Sequence, residues 1–462
     1  MGSSPALTTD HHLKAETASE TFPEGLHNAY LFAAFNALSF QPVLSSPMVL
    51  YAKSLGASAT VLGIIVGMMP LLVIFQIPAA RHVSRFGYKR FVYAGWGVRV
   101  AFIFVIALVP VTSGFLNPTA RLCLILMLLF AFNLSRGISS CAWLPWITSL
   151  VPETIRGSYL SREAAWTNLA SFGSFLLAAA CLGKDPQPMR FAALFAFSGL
   201  MGAASLVFLK RIPEASTPDQ VRTSTTPVPW GEIVRYAPFR KLLRMVIAWS
   251  MAYGGLTAFT VSYLKTKVAM PESEILLVNS VFFLGGLSSL WFLGSRLDKL
   301  GSKPVLTFCF LAWLLVVAGW GLLAGKVWAP WLSLILGLQF FMGLLAALVG
   351  MSITRLAMAI VPVMGRNHFF ALFSVLGSLS LGLAPIFWGL MIDAVGTREG
   401  QWLGLEWNRY TAFFAGVVMV FFVTLALARR LEEPKAASLE QLLKEILIES
   451  PQRAWLRLWP RS

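Results

Sequence analysis

The chain has 462 residues, of which 57% are hydrophobic and 13% charged, and its mean hydropathy is +0.70. A soluble protein carries about 25% charged residues, so water is excluded as the surroundings of most of this chain. A net charge of +16 would suggest nucleic acid in a soluble protein; in an apolar one the basic residues sort to one side of a membrane, and no nucleic-acid partner is expected.

Apolar stretches of about 20 residues, the length a helix needs to cross the hydrocarbon core, recur from end to end. Twelve are read: 28–52, 59–81, 90–112, 121–148, 158–182, 190–210, 240–263, 273–295, 304–325, 330–359, 367–393 and 408–428. Residues 1–27 form a polar N-terminal tail without the apolar core of a signal peptide. Residues 28–210 hold six spans, and 211–238, rich in Pro, Ser and Thr, read as a linker. Six more spans fill 239–430. The tail 431–462 is amphipathic: Leu439, Leu442, Leu443, Ile446 and Leu447 follow helical spacing, and Trp455 and Trp459 stand among arginines. That pattern predicts a helix lying on the inner membrane surface.

Polar residues inside these spans are the candidates for function, because each is costly in hydrocarbon. Span 1 carries Asn36, with Pro42 and Pro47 to bend it. Arg99 in span 3 lies nearer the inner side and is expected to reach headgroups or the basic layer of the inner face. In span 4, Asn133, Arg136 and Ser140 share one helical face, with Arg136 near mid-depth. A guanidinium there costs at least ~2.5 kcal/mol and is expected to face an interior cavity, where it would favour an anionic or strongly accepting substrate. Glu163 in span 5 sits beside Arg162; an interface ion pair and proton coupling are both open readings. In span 7, Ser250, Tyr253 and Thr257 fall on one face; spans 8 and 10 add Asn279 and Gln339. Each uncharged residue could equally serve a helix–helix contact.

Two short motifs occur twice. Arg85-Phe86-Gly87-Tyr88-Lys89-Arg90 follows the second span, and Asp298-Lys299-Leu300-Gly301-Ser302-Lys303 follows the eighth. Val151-Pro152-Glu153-Thr154-Ile155-Arg156 returns 210 positions later as Val361-Pro362-Val363-Met364-Gly365-Arg366. A tight turn between antiparallel spans needs a glycine able to take positive φ, as Gly87 and Gly301 can. With both termini inside, 26 of the 37 Lys and Arg fall on the inner side and 9 on the outer, the remaining two being Arg99 and Arg136. The bias predicts an integral multi-pass protein of the cytoplasmic membrane with both termini in the cytoplasm.

The doubled basic turn resembles the loop motif of the major facilitator superfamily, in the connections between helices 2 and 3 and between 8 and 9. The copy over Gly294–Lys303 follows the family pattern closely, whereas the first has Ser84 where an Asp is expected. The resemblance implies an all-α polytopic membrane protein with about twelve transmembrane helices in two pseudo-symmetric six-helix halves. It also implies alternating access, with the cavity lined by helices 1, 4, 7 and 10 and the turns acting as an inner gate. The gating candidates are Arg85, Gly87, Arg90, Asp298, Lys299 and Gly301, with Arg156 and Arg366 in the same layer.

The expected function is secondary active transport of a small polar or anionic solute. Efflux of amphipathic compounds, or a sensor or scaffold that has lost transport, are the alternatives. A proton or sodium ion is the candidate coupling partner, and a monomer is expected. There is no hydrolase elbow, zinc-protease motif or nucleotide-binding loop, and the four cysteines lack metal spacing, so neither catalysis nor a cofactor or metal is expected.

Overall fold

The computed structural model describes residues 25–151, 156–214, 231, 235–293, 301–360, 366–402 and 404–433. Twelve spans run back and forth through the bundle. Span 1 is split at Ser45 into His27–Leu44 and Ser46–Ser54. The break falls between Pro42 and Pro47, where a missing amide and ring clashes disfavour a continuous helix. Span 2 runs over Ala59–Leu71 and Gln76–Phe86, joined by a 3-10 turn; span 3 is Tyr88–Leu108. Span 4 comprises Pro118–Ser139 and Trp143–Leu150, span 5 Arg156–Leu182 and span 6 Pro188–Arg211.

In the second half, span 7 comprises Ala237–Tyr253 and Leu256–Thr266, and span 8 is Glu272–Leu293. Spans 9 to 12 are Ser302–Ala324, Leu332–Ile360, Arg366–Val395 and Arg409–Arg429. Among the described residues ten helical runs are long and apolar enough to cross a membrane; spans 1 and 8 complete the twelve. Local chemistry sets the ends. The Ser58 side chain caps span 2 and Asn117 caps span 4, while Asn408 accepts from the amides of Tyr410 and Thr411 at the start of span 12.

The repeat seen in the sequence has a backbone counterpart. Gly87 and Gly301 take φ of +81° and +85°, each directly before the next span begins. Spans 5 and 11 both begin at the repeated arginine, Arg156 and Arg366. One feature departs from an all-α reading. Gly400–Trp402 and Leu405–Trp407 form a small antiparallel hairpin between spans 11 and 12, outside the bundle.

The halves join along two seams, span 2 against span 11 and span 5 against span 8. The outer parts of spans 1 and 7, Ser46–Ser54 and Leu256–Thr266, also pack on each other. On the face opposite the termini the first seam is very close: a Cβ on Gly63 would stand 2.2 Å from the Pro385 carbonyl oxygen. Only glycine permits that approach of two backbones. At the same face Asp393, near the end of span 11, accepts from the amides of Ala59 and Thr60 at 3.0 and 2.8 Å and from the Thr60 hydroxyl at 2.6 Å. A carboxylate at a helix start satisfies orphan amides and complements the helix dipole. The Ser273 amide adds a bond to the Gly183 carbonyl across the halves at 3.1 Å. Nearer the terminal face, Gln76–Phe86 packs on spans 3 and 4 and leaves Ile74, Phe75 and Ile77 exposed.

Candidate functional site

A polar cavity of about 230 Å³ lies inside the first half. Spans 1 to 5 all reach it, and its polar wall is Asn36, Arg99, Arg136, Ser140, Glu163 and Thr167. Phe32, Trp96 and Trp143 form an aromatic side, with Phe32 and Trp143 ring centroids 4.9 Å apart. The Trp96 indole donates to Asn36 Oδ1 at 3.2 Å, and Gln76 Nε2 donates to Ser140 Oγ at 2.7 Å. Both bonds fix wall residues and leave the charged groups free to meet a ligand.

The two arginines decide the electrostatics. Arg99 is only 4% exposed, and its guanidinium lies over the rings of Trp96 at 4.6 Å and Phe132 at 5.0 Å. Its Nε is buried without a hydrogen-bond partner. Arg136 lines the same cavity. Among the described residues, no carboxylate lies within 4 Å of either guanidinium. Stacking on an aromatic face contributes roughly 0.5–2 kcal/mol to a cation. The effective penalty for taking an ion out of water is several kcal/mol, so stacking alone leaves Arg99 under-compensated.

The expectation that Arg99 reaches headgroups or the inner basic layer is therefore corrected: it is buried and lines the cavity within the bundle. Its sequence signal was available, since an arginine in an otherwise apolar helix is costly unless it faces a cavity or partner. An interface ion pair of Glu163 with Arg162 is also not what is found. Glu163 lines the cavity, and no ion pair within 4 Å joins it to Arg162 among the described residues.

A second cavity of about 210 Å³ lies where spans 1, 2 and 5 meet spans 7 and 8. It holds Ser45, Ser46, Tyr253, Thr257 and Asn279, with an aromatic wall of Phe175, Phe282 and Phe283. No charged side chain lines it. Ser46 is 1% exposed and its hydroxyl is unpaired. Tyr253 stacks on Trp249 with ring centroids 4.9 Å apart. Leu44, the last residue before the break in span 1, lines both cavities.

The sequence candidates thus divide. Asn36, Arg136 and Ser140 meet in the first cavity, and Tyr253, Thr257 and Asn279 in the second. Three others line neither. Asn133 is buried and donates to the Leu129 carbonyl of its own helix at 2.9 Å. Ser250 faces the Gly377 carbonyl at 3.5 Å, and Gln339 is fully buried and donates to Asn279 Oδ1 at 3.0 Å. These are helix-to-helix or in-helix contacts, which the shared face in the sequence could not distinguish from a cavity wall.

The larger cleft, about 640 Å³, is apolar. It runs between spans 3 and 4 past Phe86, Val98 and Ile138, which are exposed on the outside of the bundle. It offers no constellation of charge, so the smaller inner cavity is the candidate site.

Of the gating candidates, Asp298 and Lys299 lie outside the described residues, as do the side chains of Arg156 and Arg366. Arg85 is exposed and lies over the Phe86 ring at 5.8 Å, and Arg90 borders the apolar cleft. Sequence reasoning missed Glu433. Its carboxylate accepts from the amides of Ser302 and Lys303 at 2.7 to 3.0 Å, capping span 9 directly after the glycine turn. The bonds of Asp393 across the halves join it to a residue 334 positions away, a link no local spacing shows.

A family model of the Major Facilitator Superfamily matches residues 27–268 and 256–461. The chain belongs to the Major Facilitator Superfamily. Solved structures with this fold include the nucleoside transporter NupG, with a TM-score of 0.63 at 12% identity over 88% of this chain and 99% of that one. The xylose transporter XylE from E. coli, in an inward open conformation, gives 0.64 at 15% identity over 90% and 97%. A peptide transporter POT in complex with sulfate gives 0.61 at 14% identity over 88% and 95%. Identities this low establish a common fold. No curated protein matches the sequence. The superfamily member described here is therefore an integral multi-pass membrane protein of transporter fold.

Proposed function

We propose that this superfamily member is a secondary active transporter of a small anionic solute, working by alternating access with the anion held in the cavity of the first half. The observation that carries the reading is the pair Arg99 and Arg136, which face one cavity without a carboxylate within 4 Å among the described residues. A bound anion would supply the missing countercharge through charge-assisted hydrogen bonds. Taking both termini as cytoplasmic, the closure at Asp393 and Gly63 lies on the outer face, and the conformation is inward-facing. Substrate release to the outside then requires this seam to part and the basic turns of the inner face to close. Glu163, on the same wall as the arginines, is the candidate for proton coupling.

The test is a thermal-shift screen of purified protein against a metabolite library, with Arg136→Ala alongside. A ligand that binds the native state raises its stability by mass action. Anionic compounds are expected to stabilise the native protein and not the variant, and the best of them to be carried into proteoliposomes. If the stabilising compounds are uncharged and indifferent to Arg136→Ala, the anion reading fails and Arg136 is a structural residue.

A further inference from the structure

The two cavities differ in chemistry and share one wall residue. The first holds two guanidinia with no carboxylate within 4 Å among the described residues, Glu163 standing farther along the same wall; the second is uncharged, with three phenylalanines, one tyrosine and short hydroxyl side chains. Leu44 borders both, at the point where span 1 breaks before Ser45. Each side also keeps an unsatisfied buried donor, Arg99 Nε in the first and the Ser46 hydroxyl in the second. Buried polar groups are almost always paired in native proteins, so an unpaired one lining a cavity marks a place for a ligand or water. Neither cavity alone exceeds the space of a very small molecule; ligand sites usually span about 300–1,000 Å³.

We infer that the substrate is an amphipathic anion: its acid group lies against Arg99 and Arg136, and its uncharged, aromatic or aliphatic body passes Leu44 into the second cavity. The inference rests on the anion reading proposed above and adds two elements to it. Arg99 becomes a second ligand of the acid group, and the Phe175, Phe282, Phe283 and Tyr253 wall becomes the subsite for the body. A lone small inorganic anion would leave that wall unused, and an uncharged amphipath would leave both arginines uncompensated.

Binding of a graded probe series to the purified full-length protein in nanodiscs tests this. The probes are benzoate, 3-phenylpropionate and 5-phenylvalerate, each with its amide. Isothermal calorimetry reads the affinity of each probe. The acids are expected to bind on the order of tenfold or more tighter than their amides, as charge-assisted bonds imply. Affinity is expected to rise from benzoate to 5-phenylvalerate. Thr257→Leu, which fills the second cavity from the other half, should abolish that rise; Leu44→Trp, which blocks the passage between the cavities, should also abolish it.

Arg99→Met supplies a readout that a structural arginine would not give. Removing an under-compensated buried cation should raise the melting temperature of the ligand-free protein and remove the preference for acid over amide. A fall in melting temperature, with acid preference kept, would overturn the role assigned to Arg99. If benzoate and 5-phenylvalerate bind equally and Arg136→Ala loses both, the amphipathic inference falls while the anion reading stands. If the amides bind as well as the acids, both fall.

Discussion

The two halves share a backbone plan and differ in where they put charge. Twelve residues beyond the glycine that opens each third span stand Arg99 in the first half and Trp313 in the second. Seven residues into spans 5 and 11 stand Glu163 and Phe373, and 210 positions after Arg136 stands Ala346. At each of these positions the second half has an uncharged residue. Trp313 is fully buried, stacked on Phe421 at 5.4 Å with Trp249 and Tyr253 beside it. Its polar pairs close on themselves: Gln339 donates to Asn279, and Tyr410 shares its hydroxyl with Ser262 and Thr266. At these positions the second half is thus packed and uncharged, whereas the first lines a cavity with charge. Under the anion reading proposed above, ligand-binding charge is needed on one side only, because a second set would add desolvation cost without a second ligand.

The strongest way to break the comparison is to transplant the charge. Trp313→Arg places a guanidinium among the packed rings of Trp249, Tyr253 and Phe421. Losing a large buried aromatic side chain alone costs about 3–5 kcal/mol. The variant is expected to be expressed poorly and to elute as aggregate in size-exclusion chromatography; a well-folded, stable variant would mean the second half tolerates charge as well as the first.

Removing the charge where it belongs should act on binding more than on folding. Arg136→Ala is expected to weaken anion binding by about ten- to a hundredfold, the equivalent of one or two charge-assisted hydrogen bonds. Isothermal calorimetry with the best anion from the screen measures this, and melting temperature without ligand should move little. Glu163→Gln should leave exchange of substrate across the membrane intact while uptake driven by a pH gradient is lost. Loss of both modes would place Glu163 in anion binding and not in coupling.

Asp393→Ala addresses the seam instead of the cavity. It removes three hydrogen bonds between the halves, each contributing about 1–3 kcal/mol at most where a charge is involved, in one conformation only. Distances between spin labels on the outer ends of spans 2 and 11 should therefore shift toward a separated population. The smallest effect is expected for Asn279→Ala. It leaves a Gln339 amide unpaired and should cost about 1–3 kcal/mol of stability, read as a lowered melting temperature.

Much of the plan was legible because membrane physics writes it into composition. A hydrocarbon core about 30 Å thick fixes span length, and the cost of leaving backbone groups unpaired there forces helices, so twelve spans could be counted. Glycine turns and repeated motifs gave the internal register, since only glycine takes the backbone angles seen at Gly87 and Gly301. Arg136 was legible for the same reason: a charge at mid-depth must turn inward.

Helical spacing states which residues share a face, but not which face meets a cavity. Asn133 therefore stood beside Arg136 in the sequence, yet it turns to its own helix, while Arg99 of the neighbouring span 3 joins Arg136 at one cavity. The closure at Asp393 and the pairing of Gln339 with Asn279 link residues far apart in the chain. The sequence alone determined the number of spans, their repeat and the presence of a buried charge. Tertiary structure alone decided which charges share a space, because that depends on how helices rotate and pack against one another, and packing is a property of neighbours that no local spacing encodes.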